Sequence, residues 1–202
     1  MLIVVDMQND FMPGGSLAVP DGDQLLPIVN TLIEKAQRPV FFTQDAHPAN
    51  HGSFASVNKV APYTMGELSG DKQMMWPDHC VKGTPGYDLV DGLFMPENSI
   101  IIEKGTDPKH DSYSGFADAG GKATTLITEL KRAGFVHMLE KLYICGLATD
   151  YCVKATAIDA MKMGFQAVVV YDACRSVDRV SEHDAIGDMI YAGVLLMNSR
   201  WV

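Results

Sequence analysis

Apolar residues gather in short, nearly continuous runs separated by stretches of helical period. LIVVD (2–6), PVFFTQD (39–45), SIIIEK (99–104), KLYICG (141–146) and QAVVVYD (166–172) are such runs, and VLLM (194–197) is a weaker one. Runs without apolar–polar alternation are strands covered on both faces, as in a parallel sheet between helices. Between them, Leu25, Val29, Leu32, Ile33 and Ala36 make one stripe of period about 3.6. Leu126, Ile127, Leu130 and Ala133 make another, stopped by Gly134. Pro27 is tolerated only in a first turn, so the first helix is predicted to start close to Gln24 or later. A third helix is predicted from near Asp150, carrying Val153, Ala157, Ala160 and Met161 and ending at Gly164. This alternation predicts an α/β fold with an open, mostly parallel sheet, as a single domain over residues 1–202.

The stretch from His47 to Asn98 breaks the pattern. It lacks sustained periodicity and holds His47, His51 and His79, glycine turns and several prolines. A long irregular segment inside a compact domain is usually functional. Ligands of open α/β sheets bind beyond the carboxyl ends of the strands. That rule directs attention to Asp6, Asp45, Lys104 and the loop after Gly146.

Composition narrows the classes. The 202 residues are 47% apolar and 20% charged, an ordinary globular balance. Sixteen Lys and Arg against 25 Asp and Glu give a net charge of −9, which disfavours nucleic-acid partners. No apolar run approaches the roughly 20 residues that span a bilayer, so no membrane insertion is expected. The start, MLIVVDMQNDF, lacks a basic n-region and meets Asp6 early, unlike a secretory leader. Cys80, Cys145, Cys152 and Cys174 are too few and too scattered for a disulfide scaffold and suit a reducing cytoplasm.

Several strand-end residues carry chemistry. Asp6 reads either as an acceptor for the following turn or as a functional carboxylate. Asp45 and His47, two apart on extended chain, project to one side and can face one metal ion, with His79 of WPDHC as a third ligand. Two imidazoles and a carboxylate with an open position suit Zn²⁺, Fe²⁺ or Mn²⁺. His51 reads as a fourth ligand, as a support for the ligands or as a surface residue. Lys104 either balances a carboxylate and favours a thiolate, or snorkels from its strand end. Cys152 falls in the first turn of the predicted helix, with Thr149 or Asp150 as N-cap. There the helix dipole stabilises a thiolate and backbone N–H groups can hold an oxyanion. The alternative for Cys152 is a buried free thiol, which also describes Cys145 and Cys174. Cys80 reads as packing or as a soft ligand. An acid, a cation and a thiol at one sheet edge form an acyl-transfer constellation.

The blocks VVDMQNDFMPGGSL, QDAHPANHGSF, WPDHCVKGTPG, EKGTDPKHDSYSGF and GLATDYCVKATAIDA, in this order to about residue 175, resemble those of the nicotinamidases within the isochorismatase-like cysteine hydrolases. The resemblance implies a six-stranded, mostly parallel, Rossmann-like sheet flanked by helices on both faces. It implies Asp6, Lys104 and Cys152 as catalytic triad, and Asp45, His47 and His79 as ligands of one divalent metal. Ala148 and Cys152 are implied as oxyanion-hole amides, a cis bond is implied between Leu147 and Ala148, and Phe11, Trp76 and Tyr113 are implied as the substrate wall. The implied reaction is hydrolysis of nicotinamide to nicotinate and ammonia through a thioester, with pyrazinamide as a second substrate. Ala46 stands where many members carry an aromatic residue between Asp and His.

Rival readings meet obstacles in the same residues. An amidase for carbamoyl amino acids generally lacks the metal site, which Asp45, His47 and His79 fill. A vinyl-ether hydrolase of the isochorismatase type lacks the nucleophile that Cys152 supplies. A silent scaffold leaves the filled triad unexplained. A redox pair of Cys145 and Cys152 lacks the C-x-x-C spacing. A small-molecule substrate is the expected partner, and a homo-oligomer stays open.

Overall fold

The unalternating apolar runs all become strands. A computed structural model describes residues 1–135 and 140–202. In chain order it contains β1 (Leu2–Val5), α1 (Leu26–Lys35), β2 (Val40–Asp45), α2 (Ala55–Asn58), β3 (Thr64–Leu68), β4 (Asp71–Met75) and β5 (Ile100–Lys104). There follow α3 (Leu126–Arg132), β6 (Lys141–Leu147), α4 (Lys154–Lys162), β7 (Gln166–Arg175), α5 (Arg179–Tyr191) and β8 (Leu195–Met197).

Six strands form one sheet in the order β5-β2-β1-β6-β7-β8. Every neighbouring pair is parallel, so the sheet is wholly rather than mostly parallel. Each residue of β1 and β2 is buried, which requires cover on both faces of the sheet centre. The core runs through Ile3, Val4, Val5, Phe41, Phe42, Ile102, Leu142 and Ile144, all fully buried. The chain winds outward from β1 to β2 and β5, then returns to β1's other side with β6. This reversal opens a crevice at the strand carboxyl ends.

Local chemistry explains most helix bounds. Pro27 sits in the first turn of α1, after a 3₁₀ turn at Gly22–Leu25, as its ring demands. The predicted third helix begins differently: Thr149–Val153 is one π-helical turn, and α4 follows from Lys154. Neither Thr149 nor Asp150 caps it. The Asp150 carboxylate instead accepts from the amides of Val177 and Asp178 and the hydroxyl of Ser181, which ties the turn to the start of α5.

Four elements, α2, β3, β4 and α5, lacked a sequence expectation. α5 is capped by Asp178, which accepts from the amides of Val180 and Ser181, but buries only Ala185 and Met189. The irregular stretch contains α2 and the antiparallel hairpin β3–β4. Its turn, Ser69–Gly70, has positive φ at both residues, the geometry that matches hairpin twist. β7 also runs past Asp172 to Arg175, which places Cys174 opposite Gly146.

Candidate active site

Asp6 leaves β1 in the left-handed region at φ 47°, which an aspartate tolerates. Its side chain is fully buried beside Thr43, the register partner of Val5. Thr43 Oγ1 donates to Asp6 Oδ1 at 2.6 Å. Asp6 Oδ2 has no geometric hydrogen-bond partner but lies 3.0 Å from Lys104 Nζ as an ion pair. One carboxylate oxygen is therefore held by a hydroxyl and the other faces the ammonium and the thiol.

Lys104 does not snorkel. It is the register partner of Asp45, so the two side chains leave the sheet on one face. Its ammonium is buried and donates to Asp45 Oδ1 at 2.6 Å, to the Ser112 carbonyl at 2.9 Å and to Cys152 Sγ at 3.4 Å. Burial opposes this charge, but Asp45 and Asp6 outweigh it and hold the Lys104 pKa well above its usual value. Cys152 Sγ, Asp6 and Asp45 each offer an atom within 4.8 Å of the others. Burial drives the Cys152 thiol far up. Lys104 pulls it down, while Asp6 and Asp45 push it further up. Burial, and then the two carboxylates, thus oppose the helix-start and lysine contributions that favour a thiolate. Burial likewise raises Asp6 above the ordinary carboxylate range, against the pull of Lys104.

The histidines collect beside this group. Atoms of Asp45, His47 and His79 lie within 4.8 Å of one another, and all three residues are buried. His47 Nδ1 bonds the Gly105 carbonyl at 2.9 Å, and His79 Nδ1 bonds the Pro77 carbonyl at 2.8 Å. A carbonyl partner fixes Nδ1 as the protonated nitrogen, which leaves each Nε2 lone pair for a metal. Burial and the neighbouring His79 and His51 keep His47 neutral, well below its usual pKa. His51 is buried with its ring centroid 4.4 Å from that of His47, and its Nε2 has no hydrogen-bond partner. The donor set fits one divalent ion. Cys80 is buried and stays outside this group.

Above the sulfur, the Leu147–Ala148 peptide is cis and leads into the π-helical turn that carries Cys152. A cavity opens there, lined by Phe11, Trp76 and Tyr113 together with Asp45, His79, Ala148 and Cys152. Sequence reasoning missed Tyr151, Asp111 and Gln73. Tyr151 stands edge-on to Trp76 with ring centroids 5.2 Å apart. Gln73, on the unpredicted hairpin, donates to Asp111 Oδ2 at 2.6 Å and to the Tyr113 hydroxyl at 3.1 Å. Trp76 Nε1 also donates to that hydroxyl, at 3.1 Å, so the aromatic wall is hydrogen-bonded into place.

Residues 1–200 match the isochorismatase domain. The nicotinamidase of Escherichia coli (strain K12) is 45% identical over 180 residues, covering 88% of this chain and 83% of its own. The chain belongs to the isochorismatase family, in its nicotinamidase branch. Solved structures agree with that membership. A nicotinamidase/pyrazinamidase of Acinetobacter baumanii has a TM-score of 0.91 at 40% identity, over 98% of this chain and 95% of that one. The pyrazinamidase of Pyrococcus horikoshii, solved in complex with zinc, has a TM-score of 0.80 at 40% identity, over 98% and 97%. The isochorismatase domain thus takes in every residue of the buried cluster, from Asp6 to Cys152.

Proposed function

We propose that this chain hydrolyses nicotinamide to nicotinate and ammonia through a thioester on Cys152, and accepts pyrazinamide. The carrying observation is the meeting of the buried Cys152 sulfur and the buried Asp6 carboxylate, both beside the Lys104 ammonium.

Asp6 acts as general base. Its Oδ2 takes the thiol proton as Sγ attacks the carboxamide carbon, and a pKa raised from the carboxylate range suits that transfer. The C–S bond forms as the carbonyl π pair moves onto oxygen. The backbone amides of Ala148 and Cys152 receive this oxyanion. Asp6 then returns the proton to the departing nitrogen, which leaves as ammonia when the C–N bond breaks. A water, deprotonated by Asp6, attacks the thioester, and Cys152 leaves as sulfur that regains its proton. Lys104, in contact with both Asp6 and Cys152, offsets the negative charge that passes between them.

Asp45, His47 and His79 would hold one divalent metal, Zn²⁺ in first place with Fe²⁺ or Mn²⁺ as alternatives, and His51 is placed to assist. The metal supplies a Lewis-acid anchor for the ring nitrogen of the substrate. Phe11, Trp76 and Tyr113 would sandwich the ring. We further propose that residues 1–202 work as one isochorismatase-like domain in pyridine-nucleotide salvage in the cytoplasm. All four cysteines are free, and no helix among the described residues is long and apolar enough to cross a membrane.

Ammonia release from nicotinamide, pyrazinamide and carbamoylsarcosine, with and without chelator, tests this reading. Turnover is expected on the first two only, and Cys152→Ala is expected to abolish it while the protein stays folded. Retained turnover in that variant removes Cys152 as nucleophile.

A further inference from the structure

One carboxylate at the metal side takes part in no step of the reaction yet touches several segments that build the pocket. Asp10 lies in the 3₁₀ turn Asn9–Phe11. Its Oδ2 accepts from the Cys80 amide at 2.7 Å, and its Oδ1 accepts from the Ser16 amide at 3.3 Å. Its own amide donates to the Gly86 carbonyl at 3.1 Å, and its carbonyl accepts from the Leu17 amide at 3.0 Å. One residue thereby joins the turn that carries Phe11 and Leu17, the segment that carries His79, and the loop around Gly86.

We infer that Asp10 is a positioning residue for His79. The reasoning starts from Cys80, whose φ of 46° lies in the left-handed region that non-glycine residues avoid. A short bond from its amide to a carboxylate holds that conformation. The amide belongs to the same peptide plane as the His79 carbonyl, so fixing it fixes the backbone from which the imidazole is presented. The far side of Asp10 is shaped for the same purpose. A Cβ at Gly86 would sit 2.1 Å from Asp10 Oδ2, so residue 86 leaves space for the carboxylate. Phe11, the neighbour of Asp10, meets the His79 ring at a centroid distance of 5.8 Å. The substrate wall and the metal ligand are thus set by one side chain.

This inference rests on the metal reading above, and its test separates the two. Zinc affinity of the chelator-stripped full chain is measured by competition with a metal indicator for wild type, Asp10→Ala, Asp10→Asn and Gly86→Ala. Exchange of the Cys80 amide proton is followed in parallel by NMR. Gly86→Ala is the decisive variant, since it displaces the Asp10 carboxylate from outside without touching the site. Asp10→Ala and Gly86→Ala are expected to weaken zinc binding by ~10-fold or more, the usual effect of losing a group that orients a ligand. The Cys80 amide should lose protection in both. Asp10→Asn, which keeps one acceptor oxygen, should fall between them and wild type. KM for nicotinamide should rise more than kcat falls. A wild type that takes up no zinc overturns the metal reading together with this inference. A wild type that binds zinc while folded Asp10→Ala or Gly86→Ala binds it equally well overturns this inference alone.

Discussion

Replacing Thr43 by valine removes the hydroxyl that donates to Asp6, the proposed general base. The two side chains are nearly the same size and both residues are fully buried, so Thr43→Val removes a donor without opening a cavity. At 2.6 Å the lost bond is in the charge-assisted range, and such bonds contribute roughly 1.5–3 kcal/mol. Because that bond favours the ionised form, its loss raises the Asp6 pKa further. The acid limb of kcat/KM for nicotinamide should therefore move to higher pH, read as an apparent value because the site titrates as a group. On the plateau above it, activity should stay close to wild type. Stability must follow the same sign. Asp6 has a folded pKa above its unfolded one, so its ionised form costs stability at neutral pH, and that cost fades as pH falls toward the ordinary carboxylate range. The variant's deficit in urea unfolding should accordingly be largest near neutrality and shrink in acid. An acid limb that stays in place, or moves to lower pH, would refute Asp6 as the base.

Two other substitutions probe neighbouring parts of the site. Lys104→Met leaves the buried Asp6 and Asp45 without their shared cation and should cost ~3–5 kcal/mol in denaturant melts at neutral pH, with turnover lost. Since Lys104 is raised above the ordinary lysine value, the stability it confers is complete at neutral pH and is lost only as pH climbs past that value. Gly105→Ala puts a Cβ 2.4 Å from His47 Cε1 at a φ of +66°, so the ring must move off the Gly105 carbonyl. Elemental analysis should then find depleted metal, while the strained backbone costs roughly 1–3 kcal/mol.

Much of this site is legible in one dimension because parallel strands advertise themselves. An apolar run that ends on a charged residue marks a carboxyl edge, and Asp6, Asp45 and Lys104 all end such runs or follow them directly. What the run does not reveal is register. Only pairing shows that Asp45 and Lys104 are neighbours across β2 and β5, or that Thr43, seemingly strand filler, sits against Asp6. The surroundings of Cys152 are hidden for a related reason. Proximity of a lysine in sequence logic favours a thiolate, whereas the folded site adds two carboxylates and complete burial. Gln73 and Asp111 come from segments with no period to follow, so their meeting is a product of the hairpin fold. The Ser-Gly turn between β3 and β4 was the available local signal for it. α5 escaped notice because only Ala185 and Met189 along it are buried, too sparse an apolar stripe to announce a helix.

The shared ammonium of Lys104 carries a pharmacological corollary. Asp45 and the proposed nucleophile, the Cys152 sulfur, are each a single contact from one Nζ, at 2.6 and 3.4 Å. A blocker that occupies both the anchoring and the reactive end need be no bigger than one decorated aromatic ring. Potency should then come from an electrophile matched to the sulfur and a nitrogen matched to the proposed metal, held at fixed separation on a rigid frame.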